Sequence, residues 1–151
     1  MHEIFKKRKS TRRFASKEVE KEKLDEILEV ARSAPSAGNL KAREISAVTD
    51  SKLKEKLAEA ALGQNFVAEA PIVLVFSAVP NQSAKKYGQR GRDLYSLQDA
   101  TIAASFAWLQ AVALGLCGVW VGAFDEEEAR NILNLGEDKK PVALLPIGYA
   151  G

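Results

Sequence analysis

Apolar positions along the chain repeat in two ways, at helical spacing and in short continuous runs. Leu24, Ile27, Leu28 and Ala31 fall at i, i+3, i+4 and i+7, one face of a helix. Ser16 suits its N-cap and Glu18 and Glu20 its positive end, so the pattern predicts a helix from Lys17 that Pro35 terminates. Leu53, Leu57, Ala60 and Ala61 form the inner side of a second helix, capped by Asp50 and closed by Gly63. A long helix is predicted from Asp93 to Leu114, with Gly115 as its stop. Leu94, Leu97, Ile102, Phe106, Trp108, Leu109 and Val112 wrap much of its circumference, which places it centrally. Asp125 caps a short helix over Glu126 to Leu133.

Strands are predicted over Glu44 to Thr49, which alternates, and over three apolar runs. "PIVLVFSAV", 71–79, opens on proline and suits a strand covered on both faces. "CGVWVGAF", 117–124, and "PVALLPIGY", 141–149, are the other two. "APSAGN", 34–39, is a small-residue turn able to open a short helix, and "PNQSAKKYGQRG", 80–91, is expected to be a polar loop. Helices and strands are interspersed over one domain, residues 1–151, without repeats or a linker, and the class is α+β or α/β with one covered sheet.

Composition narrows the function. Lys plus Arg number 22 against 20 Asp plus Glu, too small an excess to argue for nucleic acid from net charge. A lone cysteine, Cys117, excludes an internal disulfide and fits a reduced, cytoplasmic setting. The only histidine is His2, so no histidine-based metal cluster or catalytic triad is available. The opening "MHEIFKKRKS" is charged without an apolar run behind it, and no signal peptide is expected there. The weakly polar stretch Ala100 to Gly122 contains Gln110, Gly115 and Gly118, and reads as a buried helix followed by a strand rather than a membrane span.

Three stretches carry candidate chemistry. "RKSTRRF", 8–14, places Arg8, Lys9, Ser10, Arg12 and Arg13 within six positions. Guanidiniums, an ammonium and a hydroxyl match a phosphate, and equally make a solvated basic tail; Phe14 can anchor the segment to a core. In the second stretch, Ser36, Gly38 and Asn39 form a turn that lets backbone approach a flat ligand, or simply an ordinary loop. In "GVWVGAFD" a backbone N–H near the strand end can face a ring, although strand glycines often mark only tight packing.

Taken in order, these stretches resemble the nitroreductase family of flavin enzymes. The matching features are Arg8-Lys9-Ser10-Thr11-Arg12-Arg13-Phe14, then Pro35-Ser36-Ala37-Gly38-Asn39, the Ala-rich helix entered by "LQDATIAA", Gly122-Ala123-Phe124-Asp125, and Pro146-Ile147-Gly148-Tyr149. The resemblance implies an α+β nitroreductase-like fold, a central mixed, mostly antiparallel sheet covered by helices, in an intertwined homodimer. It implies FMN, with Arg8, Lys9, Ser10 and Arg12 on the phosphate. Pro35, Ser36, Ala37, Gly38, Asn39 and Lys41 would border the flavin of the other subunit. Val121, Gly122 and Ala123 would lie behind the ring, with a main-chain N–H near Gly122 or Ala123 meeting flavin N5. The implied reaction is ping-pong: NADH or NADPH reduces FMN and leaves, and a nitroaromatic, quinone or free flavin then takes the electrons.

Three departures from the family pattern stand out. Leu40, Lys41, Ala42 and Arg43 replace the x-Gln-Pro-Trp that many members carry. Lys41 either places a cation by the flavin's pyrimidine edge or points to solvent. Many relatives continue beyond the position of Gly151 with an arm that clasps the partner, and a chain without one is expected to hold FMN and its partner less firmly. The short 80–91 segment lacks a lid insertion, and an open acceptor site is expected. These departures motivate an alternative, a flavin-binding module with little turnover. A nucleic-acid arm over residues 6–13 finds no further basic stripe or stacking platform.

Overall fold

Seven consecutive buried residues, Ile72–Ala78, form strand β2 at the centre of a four-stranded sheet. The computed structural model describes residues 1–151 in full. On one side β2 pairs antiparallel with β1 (Arg43–Val48), in a register that sets Val48 opposite Val73 and Arg43 opposite Ala78. On the other it pairs antiparallel with β4 (Lys140–Gly148), which sets Val75 opposite Leu144, with an irregularity between Phe76 and Ser77. β3 (Cys117–Gly118) extends β4 at the far edge, giving the order β1-β2-β4-β3. All strand pairings are antiparallel, and one parallel bridge joins Ser10 to Gly118.

The continuous apolar run in β2 follows from its two covered faces. Ile72, Leu74, Phe76 and Ala78 point into a core shared with Ile27 and Ala31 of α2 (Lys21–Ser33) and with the alanines of α6 (Ser96–Ala113). Val73 and Val75 point the other way, to Leu57 and Ala58 of α3 (Ser51–Ala60), Val67 of α4 (Phe66–Glu69) and Ala129 of α7 (Glu126–Ile132). A short helix, α1 (Glu3–Lys7), opens the chain, and a 3-10 turn over Ala37–Asn39 joins α2 to β1. No helix is long and apolar enough to cross a membrane.

The structure departs from the expected elements at four places. Helix α2 starts at Lys21 rather than Lys17, because the residues before it bind Tyr149 instead: Lys17 Nζ lies 3.9 Å from the ring centroid and Glu20 accepts the Tyr149 hydroxyl at 2.7 Å. Residues 80–91 are not a loop; Pro80–Arg90 is helix α5, bent at Gly88 and joined to α6 through a π-helical turn over Gly91–Tyr95. Its contact is polar and small, since a Cβ on Gly91 would sit 2.7 Å from the Ser83 carbonyl oxygen, and apolar periodicity therefore does not report it. Helix α6 buries its alanines, with Ala100, Ala103, Ala104, Ala107 and Ala111 fully covered, while Leu97, Ile102, Trp108 and Leu109 are half-buried and Phe106 is exposed. The 117–124 stretch pairs as a strand only at Cys117–Gly118, with one further bridge from Val121 to Leu144.

Candidate functional site

The basic N-terminal segment is docked along the β3 edge rather than loose in solvent. Thr11 N–H donates to Gly118 O at 2.9 Å, Ala15 N–H to Tyr149 O at 2.9 Å, and Gly151 N–H to Arg13 O at 3.0 Å. Phe14 forms a main-chain bridge to Ala150, and the edge of its ring lies beside Gly148. The Arg8 guanidinium lies 4.7 Å from the Trp108 ring centroid on α6, and that of Arg12 lies 5.9 Å from the Phe66 ring on α4. These helices cover opposite faces of the sheet, so the two arginines flank its edge with Ser10 between them. The ion pairs of the chain involve Lys6, Lys21, Lys23 and Lys139, and leave Arg8, Lys9, Arg12 and Arg13 without a carboxylate partner. Four cations held on an ordered edge and not neutralised by the chain itself favour an anionic ligand.

Val121, Gly122 and Ala123 follow on the same edge. Val121 is buried and exchanges hydrogen bonds with Leu144 at 2.9 and 3.0 Å. Gly122 and Ala123 are exposed, and their N–H groups donate to no main-chain acceptor. The loop is fixed just beyond them: Gln64 Nε2 donates to Ala123 O at 3.2 Å, Asp125 N–H donates to Ala60 O at 2.8 Å, and Asp125 Oδ1 caps α7 at Glu128 N–H, 2.8 Å. A cleft of about 230 Å³ opens here between Leu97, Gly122, Phe124 and the start of β4. A larger concavity, about 800 Å³, lies elsewhere, between residues 17–24 and Lys54; its walls mix both charges and include none of the predicted site residues.

The Pro35–Lys41 turn lies at the opposite edge of the sheet, ahead of β1. It does not meet the basic segment within one chain, since β2 and β4 separate β1 from β3 and three strand spacings amount to about 14 Å. Its conformation is unusual: Gly38, Asn39 and Lys41 all have positive φ, at 59°, 55° and 49°. Ser36 Oγ accepts Lys41 N–H at 2.9 Å, and Gln82 Nε2 on α5 donates to Leu40 O. Lys41 itself is exposed and unpaired.

Two residues that hold this turn were not among the predicted site residues. Asp99, buried in the first turn of α6, accepts Ala37 N–H at 3.2 Å and Ala42 N–H at 3.0 Å. Arg43 donates to the carbonyls of Ala34 at 2.7 Å, Arg32 at 3.1 Å, Pro35 at 3.2 Å, and Ala31 and Asp99 at 3.4 Å. Burial pushes the Arg43 guanidinium below its ordinary value, and the nearby Asp99 charge opposes this. A single acid inside the Ala-rich run "LQDATIAA" was the available signal for Asp99, because a buried charge needs partners. Cys117 is half-buried at the β3 edge, its thiol directed at Gly148 O (3.3 Å) and raised chiefly by burial.

The chain is similar to known proteins over most of its length. The chain aligns with an FMN-dependent nitroreductase from Clostridium difficile at a TM-score of 0.85 and 30% identity, covering 97% of this chain and 86% of that one. An FMN reductase [NAD(P)H] of Bacillus subtilis is 32% identical over an alignment of 165 positions that covers 99% of this chain and 66% of its own length. A Methanocaldococcus jannaschii relative is 39% identical over 101 residues, 67% of this chain and 50% of its own length, so the match spans half of that protein. The family model described as Nitroreductase family matches residues 5–68 and 62–149. This chain belongs to the nitroreductase family.

Proposed function

We propose that the protein is an FMN-dependent NAD(P)H oxidoreductase that works as a homodimer with a flavin site at each end of the interface. The observation that carries this reading is the pairing of uncompensated cations at Arg8, Lys9 and Arg12 with free N–H donors at Gly122 and Ala123 on one sheet edge. That donor set fits a flavin mononucleotide, which has a dianionic phosphate at one end and a ring with hydrogen-bond acceptors at the other. Arg8, Lys9, Ser10 and Arg12 would hold the phosphate. The Gly122 and Ala123 N–H groups would donate to the ring and favour its electron-rich form, an electrostatic preorganisation supplied by backbone. FMN supplies the redox chemistry when bound, taking two electrons from NADH or NADPH and delivering them to a nitroaromatic, quinone or similar acceptor in a ping-pong cycle.

A second subunit would complete the site. Pro35, Ser36, Ala37, Gly38, Asn39 and Lys41 lie at the opposite edge of the sheet from Gly122 and would border the flavin of the other subunit. The half-exposed Ile102, Phe106 and Leu109 on α6 form an apolar face suited to a second copy. Lys41, exposed and unpaired, would bring a positive charge to the partner's flavin.

A visible spectrum of the purified protein, followed by reconstitution with FMN, tests the cofactor. Flavin absorbance and a dimer by light scattering are the expected results. A colourless monomer that takes up no FMN would defeat the reading. Oxidation of NADH or NADPH with a quinone then separates a reductase, with rapid turnover, from a flavin-binding module.

A further inference from the structure

Asp99 is 1% exposed, yet both of its carboxylate oxygens serve main-chain N–H groups at the two ends of the Pro35–Ala42 turn. Arg43, at the exit of the turn, reaches back across its mouth to five carbonyls, those of Ala31, Arg32, Ala34, Pro35 and Asp99. Between these pinned ends, Asn39 holds φ of 55°, which asparagine tolerates, and Lys41 holds φ of 49°, which a long side chain adopts only when its surroundings over-determine it.

We propose that Asp99 and Arg43 are positioning residues that fix the exposed rim of this turn, Ser36 to Lys41, in the shape it presents to the flavin. The inference rests on the flavin reading above and identifies what sets the geometry of the turn contributed to the site. The chemistry at each position is specific. A carboxylate offers two acceptors and no donor, which is what two convergent N–H groups require. Asparagine in its place would direct an NH₂ group at one of them. The forked guanidinium of Arg43 serves four carbonyls on the entry side of the turn and that of Asp99 on α6, whereas a lysine ammonium is a compact point charge that would serve fewer. Neither side chain needs to touch the ligand: Asp99 acts through the amides of Ala37 and Ala42, and Arg43 through the carbonyls at the end of α2.

The test uses Asp99→Asn and Arg43→Lys, with Val48→Ala as a control. Val48 is buried at the far end of β1, opposite Val73 and at the other edge of the sheet from Val121 to Ala123, so its truncation lowers stability without reaching the turn or the ring-side loop. FMN dissociation constants are measured by flavin fluorescence at a temperature where circular dichroism shows every variant folded. Amide hydrogen exchange at Ala37 and Ala42 is measured on the flavin-free proteins. Both turn variants are expected to weaken FMN by about tenfold or more and to speed exchange at those amides by a similar factor. The control should lower the melting temperature and leave both readouts within about twofold.

FMN affinity unchanged in both turn variants overturns the proposal. So does unchanged exchange at the turn, or a loss of FMN affinity in the control as large as in Asp99→Asn. Should Asp99→Asn fail to fold, Arg43→Lys decides alone. A wild-type protein that binds no FMN would defeat the flavin reading, and with it the ligand-directed half of this proposal. Exchange at Ala37 and Ala42 would still establish whether the two residues hold the turn.

Discussion

Replacing Gly38 by alanine separates backbone strain from crowding at the turn. Gly38 has φ of 59°, and a Cβ there would lie 2.6 Å from Tyr87 Oη, 3.2 Å from Tyr87 Cε2 and 3.3 Å from Lys86 Cδ. A Cβ in the left-handed region costs about 1–2 kcal/mol, offset by about 0.4–1 kcal/mol because alanine stiffens the unfolded chain. Asn39 and Lys41 tolerate the same region with their Cβ atoms, so this net cost of about 1 kcal/mol alone is bearable. The overlap with Tyr87 adds to it. Its ring packs edge-on against Tyr95, with centroids 5.1 Å apart and an interplanar angle of 84°, so it cannot swing away without losing that contact. Moving the ring forfeits up to about 0.5–1.5 kcal/mol of that contact, and Gly38→Ala should destabilise the protein by about 1–2.5 kcal/mol in total. For a chain of this length that corresponds to a melting temperature lower by roughly 2–10 °C. Urea denaturation of wild type, Gly38→Ala, Tyr87→Phe and the double variant is the assay. Tyr87→Phe removes the oxygen nearest the new Cβ and should return about 0.5–1.5 kcal/mol in the alanine background, with little effect on its own. Loss of less than about 0.5 kcal/mol in Gly38→Ala, or the same loss in both backgrounds, would refute the reasoning.

Three further outcomes follow from the geometry. Arg12→Ala should weaken FMN by about 1.5–3 kcal/mol, the scale of a hydrogen bond to a charged group, in a fluorescence titration; an unchanged dissociation constant removes Arg12 from the site. Phe76→Ala, at a fully buried position of β2, should lower stability by about 3–5 kcal/mol in urea, and a loss below about 1 kcal/mol would mean the core closes over the cavity. Hydrogen bonding from Tyr149, the largest influence, holds the Glu20 carboxyl below its ordinary value. Its stabilisation is therefore present above the unfolded-state value and is lost as pH falls through the folded one. Tyr149→Phe should lower the melting temperature more at about pH 6 than at about pH 3, and parallel curves would show that the two groups are not coupled.

Much of the framework follows from local chemistry. The i, i+3, i+4 stripe of α2 and α3, the caps at Asp50 and Asp125, and the unbroken apolar runs of β2 and β4 all appear where the pattern places them. The site motifs were equally readable as residue types: cations at 8–12, a tight turn at 35–39, and Gly122 near the end of the second apolar run. The start of α2 was misplaced because Lys17 and Glu20 are engaged with Tyr149, which lies more than a hundred residues away in sequence. Helix α5 was missed because it packs through Ser83 and Gly91, which leave no apolar stripe.

Sequence alone therefore determined α2, α3, β2 and β4, whose buried faces impose their period on the residues themselves. It also supplied the chemical identity of the candidate ligand-binding groups. Tertiary structure alone decided that the basic segment and the small-residue turn occupy opposite edges of the sheet, that Asp99 holds the turn across 62 and 57 residues of chain, and that α6 turns its alanines inward and its larger side chains outward. The physical reason is common to all three: each depends on partners remote in sequence, and a local pattern records only that a residue needs a partner.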